Sequence, residues 1–159
     1  MISLTGNGSE TKPLNLLLVE DDDGDAKAVE RAFRSVKVVN AITRAVDGIE
    51  ALDLLRGENG ATKIASPYML LVDLNMPRMG GLEFLAEVRE DEELANSVIF
   101  VLTTSDAPSD IAKAYEQKIA GYIIKENAYD TVKAAMEMLG AFVEIVSLEG
   151  RPQLQAAAQ

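Results

Sequence analysis

A chain of 159 residues, 48% hydrophobic and 26% charged, has the composition of one globular domain with a sizeable core. Its 26 acidic and 15 basic side chains leave a net charge of −11, a sign that repels both a nucleic-acid backbone and an anionic membrane surface. Cysteine and histidine are both absent, which excludes disulfides, thiolate or imidazole metal sites, a histidine general base and an internal phosphohistidine, so any histidine chemistry must come from a second protein.

Residues 1–13, MISLTGNGSETKP, lack the apolar core of a signal peptide and read as an N-terminal tail. No apolar run approaches the ~20 residues of a membrane span, and the expected location is the cytoplasm. Leu14 to Val19 is an unbroken apolar run, the pattern of a strand buried on both faces, and it ends in Glu20-Asp21-Asp22-Asp23. Asp22 or Asp23 suits the N-terminus of a helix carried by Val29, Ala32, Phe33 and Val36. A weaker strand spans Val38 to Val46; Asp47 then reads as the N-cap and Gly57 as the C′ residue of a helix with Ile49, Leu52 and Leu55 on its apolar face. The stretch GENGATKIASP, residues 57–67, reads as a polar linker longer than the usual connection.

A third strand, Tyr68 to Val72, ends at Asp73, and Leu82, Leu85 and Val88 mark the helix after it. The fourth, Val98 to Leu102, ends in Thr103-Thr104-Ser105; Asp106 and Pro108 open a helix bearing Ile111, Ala114 and Tyr115. Tyr122 to Ile124 is the fifth strand and ends at Lys125. The last helix has core spacing at Val132, Ala135, Met136, Leu139, Phe142, Val143 and Val146, before a C-terminal tail at 149–159. Five β-to-α units with short, right-handed crossovers give a doubly wound α/β fold, a five-stranded parallel sheet covered on both faces by one domain spanning 14–148.

Open α/β sheets bind ligands beyond the carboxyl ends of their strands, and here those ends carry Glu20, Asp21, Asp73, Thr103 and Lys125. A bare-phosphate site would offer a glycine-rich loop after the first strand; this chain offers carboxylates. Glu20, Asp21 and Asp73 cannot all stay ionised side by side without a cation, and a ligand set of oxygens alone suits Mg2+. With that charge in place a phosphoryl group can approach between the metal, Lys125 and the Thr103 hydroxyl, which makes Asp73 a candidate nucleophile for an aspartyl phosphate.

Residues 14–146 resemble a response-regulator receiver domain of two-component signalling. Glu20-Asp21 is similar to the family's acidic pair, Asp73-Leu74-Asn75-Met76-Pro77 with Gly80-Gly81 to its phosphoacceptor loop, and Leu102-Thr103-Thr104 and Ile124-Lys125 to its hydroxyl and lysine motifs. The intervals from Asp73 to Thr103 and to Lys125 also fit. The resemblance implies a flavodoxin-like strand order of 2-1-3-4-5 and phosphorylation of Asp73 by a histidine kinase. It implies Mg2+ held by Asp21, Asp73 and the Asn75 carbonyl, with Glu20 acting through water, and Lys125 paired with the phosphoryl oxygens. Thr103 and Tyr122 would turn inward as a switch, changing the face built from helix four, strand five and helix five, while Asn75 and Ser105 would help set the lifetime of the phosphate. Catalysis would be limited to the protein's own phosphorylation and dephosphorylation. Length, linker and the stretch LTTSDAPSDIAKAYEQKIAGYIIK look like the single-domain regulators that partner phytochrome-type histidine kinases.

One position departs from the pattern: Glu126 stands where the family usually has proline after the lysine, and a cis bond before a non-proline residue costs roughly 2.5–4 kcal/mol, so a trans bond is expected. Read alone, Asp73 fits a strand-end turn residue, and Tyr122 fits core packing as well as a switch. Two other functions compete. A degenerate receiver acting as a protein-binding module is suggested by Glu126. A phosphohydrolase with an aspartate nucleophile would need a second acid two residues on, where Asn75 cannot transfer a proton. Met138, Ala141, Ile145 and Leu148 extend the apolar surface of the last helix, which leads to the expectation of a symmetric homodimer through helices four and five and strand five.

Overall fold

Every apolar run of the sequence forms a strand, because each lies where both faces of a sheet are covered. The structure, a computed structural model, describes residues 14–36, 39–104, 108–134 and 137. Strands β1 (Leu14–Val19), β2 (Val39–Ala45), β3 (Tyr68–Asp73), β4 (Val98–Thr103) and β5 (Gly121–Ile124) alternate with helices α1 (Asp23–Val36), α2 (Gly48–Arg56), α3 (Gly81–Glu90) and α4 (Pro108–Glu116). A short 3-10 turn, Lys125–Asn127, leads from β5 into a last helix, α5, described over 128–134.

All pairings are parallel and the order is β2-β1-β3-β4-β5, the expected flavodoxin-like arrangement. Alternation along the strands sends their side chains into two cores. Leu16, Leu18, Met69, Leu71, Leu102 and Ile123 pack with Ala26, Val29, Ala32 and Phe33 of α1 and with Ala128 and Val132 of α5. Leu17, Val19, Leu70, Val72, Ile99 and Val101 pack on the other face with Leu52 and Leu55 of α2, Phe84, Leu85 and Val88 of α3, and Ala114 of α4.

Local chemistry fixes the turns. Asp47 caps α2, its carboxylate accepting from the Glu50 N–H at 2.9 Å. Gly57 ends that helix at φ 69°, the left-handed conformation that costs glycine least. Gly81 lets α3 start against the end of β3: a side-chain carbon there would overlap the Asp73 carbonyl oxygen and come within 2.6 Å of Leu74 Cα.

Residues 57–67 form the long connection expected between α2 and β3, and they are seated. The Ile64 N–H donates to the Leu54 carbonyl at 3.0 Å, and the Ile64 side chain packs against the core, so the segment folds back on α2 as a seated loop. Among the described residues no helix is long and apolar enough to cross a membrane. Both tails, Val38, Ser105, Asp106, Ala135, Met136 and everything from Met138 onward lie outside the described residues, and with them the apolar surface on which the homodimer expectation rests.

Candidate functional site

Helix α1 leaves β1 toward one face of the sheet and α3 leaves β3 toward the other, which opens a crevice between the two strand ends. Register sets what lines it: Val19 pairs with Val72, so Glu20 comes level with Asp73, while Asp73 pairs with Leu102 and Thr103 with Ile124. The strands thereby deliver Glu20, Asp21, Asp73, Thr103 and Lys125 to one end of the sheet.

Glu20 and Asp73 are buried and Asp21 is exposed, and one carboxylate oxygen from each of the three lies within 4.8 Å of the others. Asp73 Oδ1 accepts from the Asn75 N–H at 3.1 Å, which ties the carboxylate to the loop that follows it; Asn75 itself is exposed. Lys125 Nζ lies 2.9 Å from Asp25 Oδ2, 3.0 Å from Glu20 Oε2 and 3.3 Å from Asp73 Oδ2. Thr103 is buried and its hydroxyl donates to the Thr104 carbonyl at 3.1 Å. Tyr122 is 42% exposed, its ring edge-on to Tyr115 at 6.3 Å, so it is not a core residue. Among the described residues Ser66–Pro67 is the one cis peptide; Lys125–Glu126 is trans, as expected, and Glu126 is exposed. With Glu126 in place of proline, the lysine ammonium reaches Asp25, Glu20 and Asp73.

Glu20 is under-compensated. Its Oε1 accepts from the Asp22 N–H at 3.1 Å, but Oε2, fully buried, has an ion-pair contact with Lys125 that lacks the direction of a hydrogen bond. Burial raises the Glu20 pKa to about 7, with the Asp73 charge acting in the same direction and Lys125 and the Asp22 N–H opposing it. Burial also raises Asp73, against the Asn75 N–H and Lys125. For Lys125, burial alone would lower the pKa; the hydrogen bond to Asp25 and the proximity of Glu20 and Asp73 outweigh it, and the net direction is upward. One fixed ammonium therefore serves several carboxylates, two of them buried. An orphaned buried oxygen in an all-oxygen cluster is the donor set that a hard divalent cation completes, and Glu20, Asp21 and Asp73 are the residues that could hold one.

Two residues of this site were not singled out in the sequence. Asp25, in the first turn of α1, reaches Lys125; in the sequence it reads only as a carboxylate favoured by a helix N-terminus. Arg44 of β2 clamps the acidic loop: Nε donates to the Glu20 carbonyl at 2.9 Å, Nη2 to the Asp21 carbonyl at 3.1 Å and Nη1 to Asp23 Oδ1 at 2.7 Å. An arginine one residue before the end of a strand adjacent to the acidic run was the available signal. Asp22 has the helix-capping role expected for this run, its Oδ2 accepting from the Asp25 N–H at 2.7 Å.

Comparison with known proteins agrees with this geometry. Residues 16–137 match the response regulator receiver domain family. The probable methanogenesis regulatory protein FilR2 of Methanothrix harundinacea is 34% identical over 79% of this chain and 80% of its own length. The crystal structure of the phosphorylated cyanobacterial phytochrome response regulator RcpA is 31% identical, with a TM-score of 0.70 over 77% of this chain and 91% of that one. The Mn2+-bound form of response regulator Rcp1 is 27% identical, with a TM-score of 0.69 and the same coverage, 77% and 91%. The acidic triad, the strand order and the match over most of its length lead to one conclusion: the chain belongs to the response regulator receiver domain family, a signalling receiver of two-component systems and not a turnover enzyme.

Proposed function

We propose that this receiver accepts a phosphoryl group on Asp73 from the phosphohistidine of a histidine kinase, in a Mg2+-dependent reaction, and passes the change to the face formed by α4, β5 and α5. The P–N bond of the donor breaks, a P–O bond to an Asp73 carboxylate oxygen forms, and the imidazole leaves; water later cleaves the new bond. The observation that carries this reading is a buried strand-end aspartate with an ammonium 3.3 Å away and two further acids beside it.

Asp21, Asp73 and the Asn75 carbonyl would hold the Mg2+, with Glu20 acting through a water. When bound, the ion supplies the positive charge that lets an anionic phosphoryl group approach carboxylates. Lys125 pairs with the phosphoryl oxygens. The Thr103 hydroxyl gives up the Thr104 carbonyl for the phosphoryl group, and Tyr122 follows it inward. Tyr115 of α4 and Tyr122 of β5 are both exposed and in edge-on ring contact, so the shape of the surface they share depends on where Tyr122 lies.

A phytochrome-type kinase is the partner we infer, supported by the similarity to RcpA, and the cytoplasm is where the two would meet. A homodimer through the same face is part of the proposal; sedimentation showing only monomer at tens of micromolar, phosphorylated or not, removes it. The central test is labelling by acetyl phosphate with Mg2+. Asp73→Asn abolishes labelling, and Lys125→Ala keeps it but loses the conformational response. A wild-type chain that takes no label is a binding module instead, and turnover beyond one equivalent would make it a phosphohydrolase.

A further inference from the structure

Resting on the phosphoacceptor reading, we infer that Asp25 is a positioning residue that competes with the phosphoryl group for Lys125 and thereby restrains activation. Three carboxylates surround the ammonium, and the shortest and best-directed contact is the hydrogen bond to Asp25 at 2.9 Å, with Glu20 at 3.0 Å and Asp73 at 3.3 Å. The ammonium is thus shared between α1 and the carboxylate proposed to carry phosphate. Asp25 is itself held: its backbone N–H is capped by Asp22 Oδ2 at 2.7 Å, which fixes the turn that aims its side chain.

An arriving phosphoryl group meets Asp25 in two ways. The carboxylate keeps one of the three ammonium protons, and its own negative charge, 44% exposed but within the cluster, repels the incoming anion. Both effects have the same sign, so removal of the charge favours the phosphorylated state. Because the carboxylate is partly solvated, the effect is modest, about fivefold in affinity for a phosphoryl mimic.

The test is the affinity of the full chain for beryllofluoride in saturating Mg2+, by calorimetry, in wild type, Asp25→Asn and Asp25→Glu. Tighter binding by about fivefold in Asp25→Asn, with Asp25→Glu returned to within about twofold of wild type, is expected. The same pair of measurements in a Lys125→Ala background separates action through the lysine from a general loss of negative charge, and there the gain should shrink or vanish. Equal or weaker binding by Asp25→Asn overturns the inference, as does an undiminished gain without Lys125. Failure of the wild-type chain to bind beryllofluoride at all overturns the phosphoacceptor reading and this inference with it, an outcome distinct from the other two.

Discussion

Replacement of Glu20 by glutamine should stabilise the metal-free protein in mild alkali and do little in acid. The side chain is fully buried, with one oxygen on the Asp22 N–H and the other without a hydrogen bond. Burial lifts its pKa from 4.5 to about 7, so between those values the native state binds more protons than the unfolded chain, and stability falls as pH rises through that window. Well above pH 7 the ionised form carries the whole difference, about 3 kcal/mol. Glutamine removes that cost and keeps the Asp22 contact, but its NH2 group then faces the Lys125 ammonium, which offsets part of the gain. The expected net is about 1–2 kcal/mol at pH 8 and near zero at pH 5, read from urea unfolding of both proteins with a chelator present. Saturating Mg2+ at pH 8 should reverse the order, since the wild type gains more binding energy than the variant. An equal change at both pH values, or a less stable variant at pH 8 without metal, would refute the claim that burial of the Glu20 charge outweighs what Lys125 and the Asp22 N–H return.

Other outcomes follow from contacts that have no substitute. Gly81→Ala must move backbone, since its new carbon meets the Asp73 carbonyl and Leu74 Cα, and should cost about 3 kcal/mol in denaturant unfolding; a loss below about 0.5 kcal/mol would contradict the packing. Arg89 donates to four backbone carbonyls, those of Gln117, Ala95, Ser97 and Lys118, at 2.7, 2.8, 2.9 and 3.0 Å. Arg89→Lys keeps the charge but not the planar fork, so it should lose about 2 kcal/mol, and full retention of stability would show that the fork is dispensable. Arg44→Ala frees the Glu20 and Asp21 carbonyls and should weaken Mg2+ binding by about three- to tenfold in a calorimetric titration, with unchanged affinity as the contrary result.

The fold was legible because local sequence carried it: runs such as Leu16–Leu17–Leu18 sit between two helical layers and need no polar alternation, and Asp47 and Gly57 punctuate a helix by backbone chemistry alone. The strand order came from the family resemblance, since β1 pairing with both β2 and β3 is a long-range choice that no short window records. At the site, Glu20, Asp21, Asp73, Thr103 and Lys125 were visible as strand-end residues. Asp25 was not, because its partner Lys125 is a hundred positions away and a first-turn aspartate already has a sufficient local explanation. The connection at 57–67 was legible as a long polar segment, but its seating on α2 was not, because that rests on Ile64 packing into the core and the Asn59 amide donating to Asp53.

That seated loop divides the molecule in an instructive place. Before it lie β1, α1, β2 and α2; after it lie β3 and everything that follows, and the seam between the two portions runs along the ladder joining β1 to β3 and through both cores. Glu20, Asp21 and Asp25 belong to the first portion, Asp73, Thr103 and Lys125 to the second. A protein nicked in this loop would hold neither half of its acidic centre in working form until the fragments reassociated along that seam, so metal binding would report their complementation.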